Sequence, residues 1–402
     1  MFKYSRRKAI QSAASVALAP LAAQVASAAQ VPPAPKEGKD TPKIAVGMFD
    51  GGGGGGGRGA GNRDMTAAVR RIKQLGVNHV LSGGGQLPWT VEALTAQMEP
   101  WKAAGIQVAN LMINVSQDIL YGKAGTKREE DLEKLRQSIV AAGRVGLPVV
   151  EYNFYAHRAM EGYFEEIDEE RGGSGWTGFD YELEQTANRP YQTRPEEKGM
   201  KFKDLPPLAN EGAHNLDEMW TNVSYFLKAV IPTAEKANVR LALHPNDPPA
   251  PISRGSQQIM GSLAGWKKLI TIVDSPSNGI TFDCGVTREM GEDPVEVCRY
   301  FASRDRINHV HFRNVITIKP YERYREVWID EGVNYMFAVM KELVKNKYNH
   351  LIYPEHPRRL DYDAERGRLA ATRAEVRTRR SPTTSDTPAP CCRRPCPKAK
   401  LF

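Results

Sequence analysis

Cysteine is scarce in this 402-residue chain, with five in total, three of which (Cys391, Cys392 and Cys396) crowd near the end with no histidine beside them. That spacing makes no convincing zinc site, and five cysteines make no obvious disulfide framework. The glycine run at 51–57 is not followed by GK[ST], which excludes a P-loop. A homopolymer matches any glycine pattern, and no acid closes the next apolar run, VLSGGG, so the ribose contact of a dinucleotide-binding fold is also missing. The run reads as a flexible loop. No stretch is long enough for a membrane anchor: AASVALAPLAAQVASAAQ is short, rich in alanine and interrupted by Pro20. Nor is there a basic domain. Residues 1–30 hold four Lys/Arg and no acid, residues 364–402 carry +7, and the total is +8, which leaves −3 for residues 31–363. A nucleic-acid partner is therefore not expected.

What is present divides the chain into parts. Arg6 and Arg7 after Ser5, then the apolar stretch, then Ala26-Ser27-Ala28, follow the order of a signal peptide of twin-arginine type over residues 1–30. The expected location is therefore outside the cytoplasm, periplasmic. VPPAPKEGKDTP (31–42) reads as a linker. Residues 364–402, rich in Arg, Pro, Ser and Thr without apolar periodicity, are expected to be disordered and have the character of out-of-frame coding sequence.

Between these ends, apolar runs at 43–49, 77–82, 107–114, 148–155, 239–244, 279–283, 307–312 and 350–356 predict strands. Helical patterns at 64–75, 91–104, 129–145, 215–236, 262–274, 293–303 and 333–346 separate most of them. Strand–helix alternation of this kind predicts an α/β fold, a (β/α)8 TIM barrel over 43–363, with the eighth helix lost or replaced by the tail. Residues 156–214 would be an insertion after the fourth strand, on the face where barrel active sites lie.

Chemistry-bearing residues gather at the ends of the last four predicted strands: His244; Asp283 and Cys284 in FDCG; His309, His311 and Arg313 in HVHFR; Glu355 and His356 in YPEH. Barrel topology brings such ends around one pocket, where His, Cys and a carboxylate can bind a divalent ion. Taken alone, each has a plainer explanation: a structural histidine, a small buried thiol, a helix-capping acid. Asp247 follows His244 in a proline-rich turn that has its own conformational reason for an aspartate. Asn153 and Tyr155 are weaker pocket candidates.

HPNDPPAPI, GITFDCG, HVHFRN and PEH, in that order, resemble the landmarks of the D-mannonate dehydratase family, as does KREEDLEKLRQSI followed by EYNFY. The resemblance covers roughly 43–363. It implies a xylose-isomerase-like TIM barrel and metal-dependent dehydration of a sugar acid, D-mannonate to 2-dehydro-3-deoxy-D-gluconate, by a hydro-lyase using Mn2+ or Fe2+. The implied metal ligands are His244, Cys284, His311 and Glu355, the last standing where the family has an Asp followed by His. Arg313 would hold the substrate carboxylate bidentately. Asp247 would orient His244 or touch substrate, and His309 completes the catalytic candidates. The expected partners are a small sugar acid and further copies of the chain. A sugar isomerase or epimerase, and a non-catalytic exported sugar-binding barrel, stay open as alternatives.

Overall fold

The computed structural model describes residues 37–48, 65–167, 171–186, 194–356 and 358–360. The expected leader, the glycine run, the place of an eighth helix and the tail lie outside the described residues.

Twelve strands are described: β1 (Lys43–Gly47), β2 (His79–Gly83), β3 (Gln107–Ile113), β4 (Val149–Tyr152), β5 (Tyr163–Ile167), β6 (Gly175–Asp180), β7 (Arg240–Leu243), β8 (Asn278–Asp283), β9 (Ile307–His311), β10 (Asn314–Lys319), β11 (Arg323–Val327) and β12 (Leu351–Tyr353). Eight of them form a closed parallel barrel in the order β1-β12-β9-β8-β7-β4-β3-β2. These are the eight strands expected from the apolar runs. Every residue of β4, β8 and β9 is buried, as parallel strands covered on both faces require.

The helix Leu216–Ala237 shows how the outer layer attaches. Met219, Val223, Phe226, Leu227, Val230, Ile231 and Ala234 recur at helical spacing and all are buried. Asn215 caps its start by accepting from Glu218 N, and Asn238, at φ 55°, ends it in the left-handed conformation an asparagine tolerates. Burial of each such side chain is worth about 1.5–3 kcal/mol, which outweighs any capping term.

The insertion is where the structure adds most to the expected barrel. Its strands β5 and β6 join β10 and β11, which follow the seventh barrel strand, in one antiparallel sheet of order β10-β11-β6-β5. A separate apolar cluster of Ala159, Tyr163, Phe179, Phe202, Leu205, Ala250, Val315 and Tyr324 binds this sheet to the turn after β7. The insertion is thus a folded lid over the C-terminal mouth of the barrel. No helix among the described residues is long and apolar enough to cross a membrane.

Candidate functional site

His244 follows the last residue of β7, and its Nδ1 lies 2.7 Å from the carbonyl oxygen of Pro245. A carbonyl only accepts, so Nδ1 carries the proton and Nε2 keeps its lone pair for the barrel mouth. Burial lowers the His244 pKa and keeps the ring neutral. Asp283 ends β8 directly beside His311, which ends β9; the two are paired in register. Asp283 Oδ1 caps the next helix by accepting from Val286 N at 2.8 Å. Its Oδ2 accepts from Arg313 Nε at 3.0 Å and lies 3.6 Å from His311 Nδ1. Burial alone would raise the Asp283 pKa, but the Arg313 guanidinium outweighs it and holds the acid ionised. Glu355 lies just past β12, with Oε1 2.6 Å from His311 Nδ1.

His244, Asp283, His311 and Glu355 therefore each present one donor atom, all within 4.8 Å of one another. Although His311 Nδ1 and Glu355 Oε1 are close, neither meets hydrogen-bond geometry with any described partner. Two imidazoles and two carboxylates brought this close together could share a cation. Burial disfavours protonated His311, but Glu355 and Glu151 outweigh it and raise its pKa well above the usual value. The residues present thus fit a divalent metal: two imidazoles, two carboxylates, and an anionic surplus to be neutralised.

Three sequence expectations need correction. Cys284 is not in this group. It is the first residue of the helix Cys284–Glu289, fully buried in the main apolar core, and burial pushes its thiol pKa well up. Alternation explains the difference: Thr281 and Asp283 share the inward face of β8, so the donor is Asp283. Arg313, 1% exposed, is engaged by protein carboxylates rather than presented to a ligand, although its Nη2 makes no hydrogen bond among the described residues. Besides Asp283, its fork contacts Glu289 Oε1 at 2.8 Å and Asp247 Oδ1 at 3.3 Å. His309 lies a layer deeper than His311, fully buried and near-parallel to the Tyr353 ring with centroids 6.3 Å apart, closed off from a ligand at the mouth.

Asp247 does reach the mouth, but it is Pro245 rather than Asp247 that orients His244. Asp247 Oδ1 accepts from Tyr163 OH at 2.8 Å and Tyr324 OH at 3.3 Å, both from the lid sheet. With Glu326 of β11 and His356 it forms a second buried group. His356 Nδ1 lies 2.6 Å from Glu326 Oε1, and its Nε2 is 3.8 Å from both Asp247 Oδ2 and Glu355 Oε2. Burial opposes protonation, but Glu326 and Glu355 prevail and the His356 pKa is pushed up to about 9. Asp247 Oδ2 has no hydrogen-bond partner among the described residues.

Sequence reasoning missed Glu326, because the β10–β11 hairpin was not recognised. It also missed Arg158, on the loop leaving β4. Its Nε is buried without a hydrogen-bond partner among the described residues, and Asp247 and Glu355 act on it electrostatically. Asn153 and Tyr155 lie on the same loop, joined by a 2.5 Å bond from the Tyr155 hydroxyl to Asn153 Oδ1.

A model of the D-mannonate dehydratase (UxuA) family matches residues 58–375. The mannonate dehydratase of Streptococcus equi subsp. zooepidemicus is 28% identical over 296 residues, 68% of this chain and 76% of that one. The mannonate dehydratase of Thermotoga maritima is 28% identical over 333 residues, 74% of this chain and 87% of that one. Among solved structures, the mannonate dehydratase from Streptococcus suis serotype 2 aligns with a TM-score of 0.61 at 25% identity, covering 79% of this chain and 86% of that one.

Proposed function

Because this chain belongs to the D-mannonate dehydratase family, we propose that it removes water from D-mannonate to give 2-dehydro-3-deoxy-D-gluconate. The observation that carries this reading is the group of His244, Asp283, His311 and Glu355, three of them buried and Glu355 partly so, at the covered mouth of the barrel. These four residues would hold the divalent metal, and a donor set of imidazoles and carboxylates without thiolate suits Mn2+ or Fe2+. Bound there, the metal supplies Lewis acidity, drawing electron density from a carboxylate and its neighbouring hydroxyl and so loosening the C2 proton.

The chain's own residues supply the rest. Arg158, whose guanidinium is not committed to an ion pair among the described residues, receives the substrate carboxylate, because Arg313 already faces Asp247, Asp283 and Glu289. Asp247 Oδ2 is the basic atom for the C2 proton, held in place by the Tyr163 and Tyr324 hydroxyls on Oδ1. His356 Nε2 carries the proton for the departing C3 hydroxyl, with Glu326 fixing the opposite edge of the ring. The lid excludes bulk water from both transfers.

Arg6 and Arg7 before an apolar, Ala-rich stretch support export of the folded protein. An aldonate panel assayed with Mn2+ and with EDTA tests the activity. The expected product is a 2-keto-3-deoxy acid, detected by periodate–thiobarbiturate colour, formed from D-mannonate and abolished by EDTA. Isomerised sugar without that colour would favour an isomerase, and a protein that binds no metal and turns over nothing would be a binding barrel.

A further inference from the structure

Strand β4 reads Val149-Val150-Glu151-Tyr152, and all four residues are buried. A carboxylate inside a barrel needs a reason, since an ionised group out of water is costly unless it is paired. Glu151, 1% exposed, is clamped from the adjacent strand β3 and from β8, two strands away on the other side. Thr281 Oγ1 of β8 donates to Oε1 at 2.8 Å, and Asn110 Nδ2 of β3 donates to Oε2 at 3.0 Å. Neutral donors on both oxygens fix the carboxylate's direction without cancelling its charge. Against Oε1 at 3.4 Å lies Nε2 of His311. The other ring nitrogen, Nδ1, is the one that faces Asp283 and Glu355. His309 Nε2, at 3.9 Å from Oε2, is the more distant imidazole.

The His311 ring therefore stands between two carboxylate environments, the mouth group on one side and Glu151 on the other. We infer that Glu151 is a positioning residue for the metal-ligating His311: it takes the Nε2–H side of the ring, fixes the tautomer whose Nδ1 lone pair faces the mouth, and adds a negative charge behind it. This rests on the proposed function only in assuming that a cation binds at the mouth. An outer carboxylate that fixes a ligating imidazole is typically worth 10–100-fold in metal affinity. Glu151 differs in kind from Asp283, because it lies beneath the ring, away from the atoms that face a substrate.

The test uses the full chain and Mn2+ as the probe, with free Mn2+ counted by its EPR signal. Glu151→Gln keeps the shape and an acceptor for Thr281 while removing the charge. It is expected to weaken Mn2+ binding about 10–100-fold, with Glu151→Asp recovering part of the loss. In the metal-free variant, at a pH where the ring is neutral, long-range proton–nitrogen spectra of 15N-labelled histidine should show His311 leaving the single Nε2–H tautomer of the parent. Should Glu151→Gln not fold, Thr281→Val keeps the charge but releases the clamp, and a smaller loss of affinity with the same tautomer mixing is expected. Unchanged affinity and tautomer in these variants would overturn the inference and identify a packing role. Two Mn2+ ions bound per chain would overturn it too, because Glu151, His309 and His311 would then be ligands themselves. A parent protein that binds no Mn2+ refutes the metal centre, a result distinguishable from a parent that binds and variants that bind equally well.

Discussion

Asp283→Asn beside Cys284→Ala separates the ligand set proposed from the structure from the one expected from sequence. The asparagine keeps Oδ1, so the 2.8 Å cap on Val286 N survives. What disappears is the negative charge on Oδ2, 3.0 Å from Arg313 Nε and 3.6 Å from His311 Nδ1. Losing an outer partner of a ligand costs 10–100-fold in metal affinity, so losing a ligand should cost at least ~100-fold, about 2.7 kcal/mol. Stability should suffer less than the 3–5 kcal/mol usual for breaking a buried ion pair. Arg313 still has Glu289 at 2.8 Å and Asp247 at 3.3 Å, which limits the loss to roughly 1–2 kcal/mol. Cys284→Ala has the opposite profile. It removes one buried sulfur from the apolar core, costing about 1 kcal/mol of stability, and leaves metal affinity within about twofold. Equilibrium dialysis with elemental analysis reads the affinity, and urea denaturation of the metal-free proteins reads the stability. If Cys284→Ala loses its Mn2+ while Asp283→Asn keeps it, the assignment made from strand parity is wrong.

Arg158→Met should raise KM for the aldonate about 10–100-fold through loss of a charge-assisted contact, with little change in urea midpoint; an unchanged KM would place the substrate carboxylate elsewhere. Arg313→Met should instead destabilise the fold by about 3–5 kcal/mol, because it strands buried carboxylates, and a normal melting temperature would contradict that role. At the far end of the barrel, burial and then Arg240 lower the His350 pKa from 6.5 to about 4. The unfolded chain then binds the proton first, so stability is complete above pH 6.5 and falls between 6.5 and 4 by at most about 1.4 kcal/mol per unit; His350→Asn should flatten that part of the urea profile. Replacing Arg6 and Arg7 with lysine should retain the protein in the cytoplasmic fraction, and unchanged export would sink the leader reading.

The barrel was legible because parallel strands buried on both faces leave continuous apolar runs, and VRLAL, GITF and INHV are such runs with chemistry at their ends. The lid was not. Its strands YFEEI and GWTGFD mix glycine, acids and aromatics, and β11, the strand that joins β6 to the rest of the sheet, lies more than a hundred residues later, a pairing no local pattern reports. Within the site, period two puts His309, His311 and Arg313 on one face, and the same rule holds one strand back on β8. There it selects Thr281 and Asp283 together and sets Cys284 apart as the start of a helix. The same rule on β4 groups Glu151 with the pocket candidates Asn153 and Tyr155. Parity alone, however, cannot rank depth. His309 and His311 share a face, yet the register that pairs Thr281 with His309 and Asp283 with His311 sinks the first pair beneath the second. Depth divides the labour: the upper pair belongs to the cation site, and the lower pair surrounds the carboxylate that orients it.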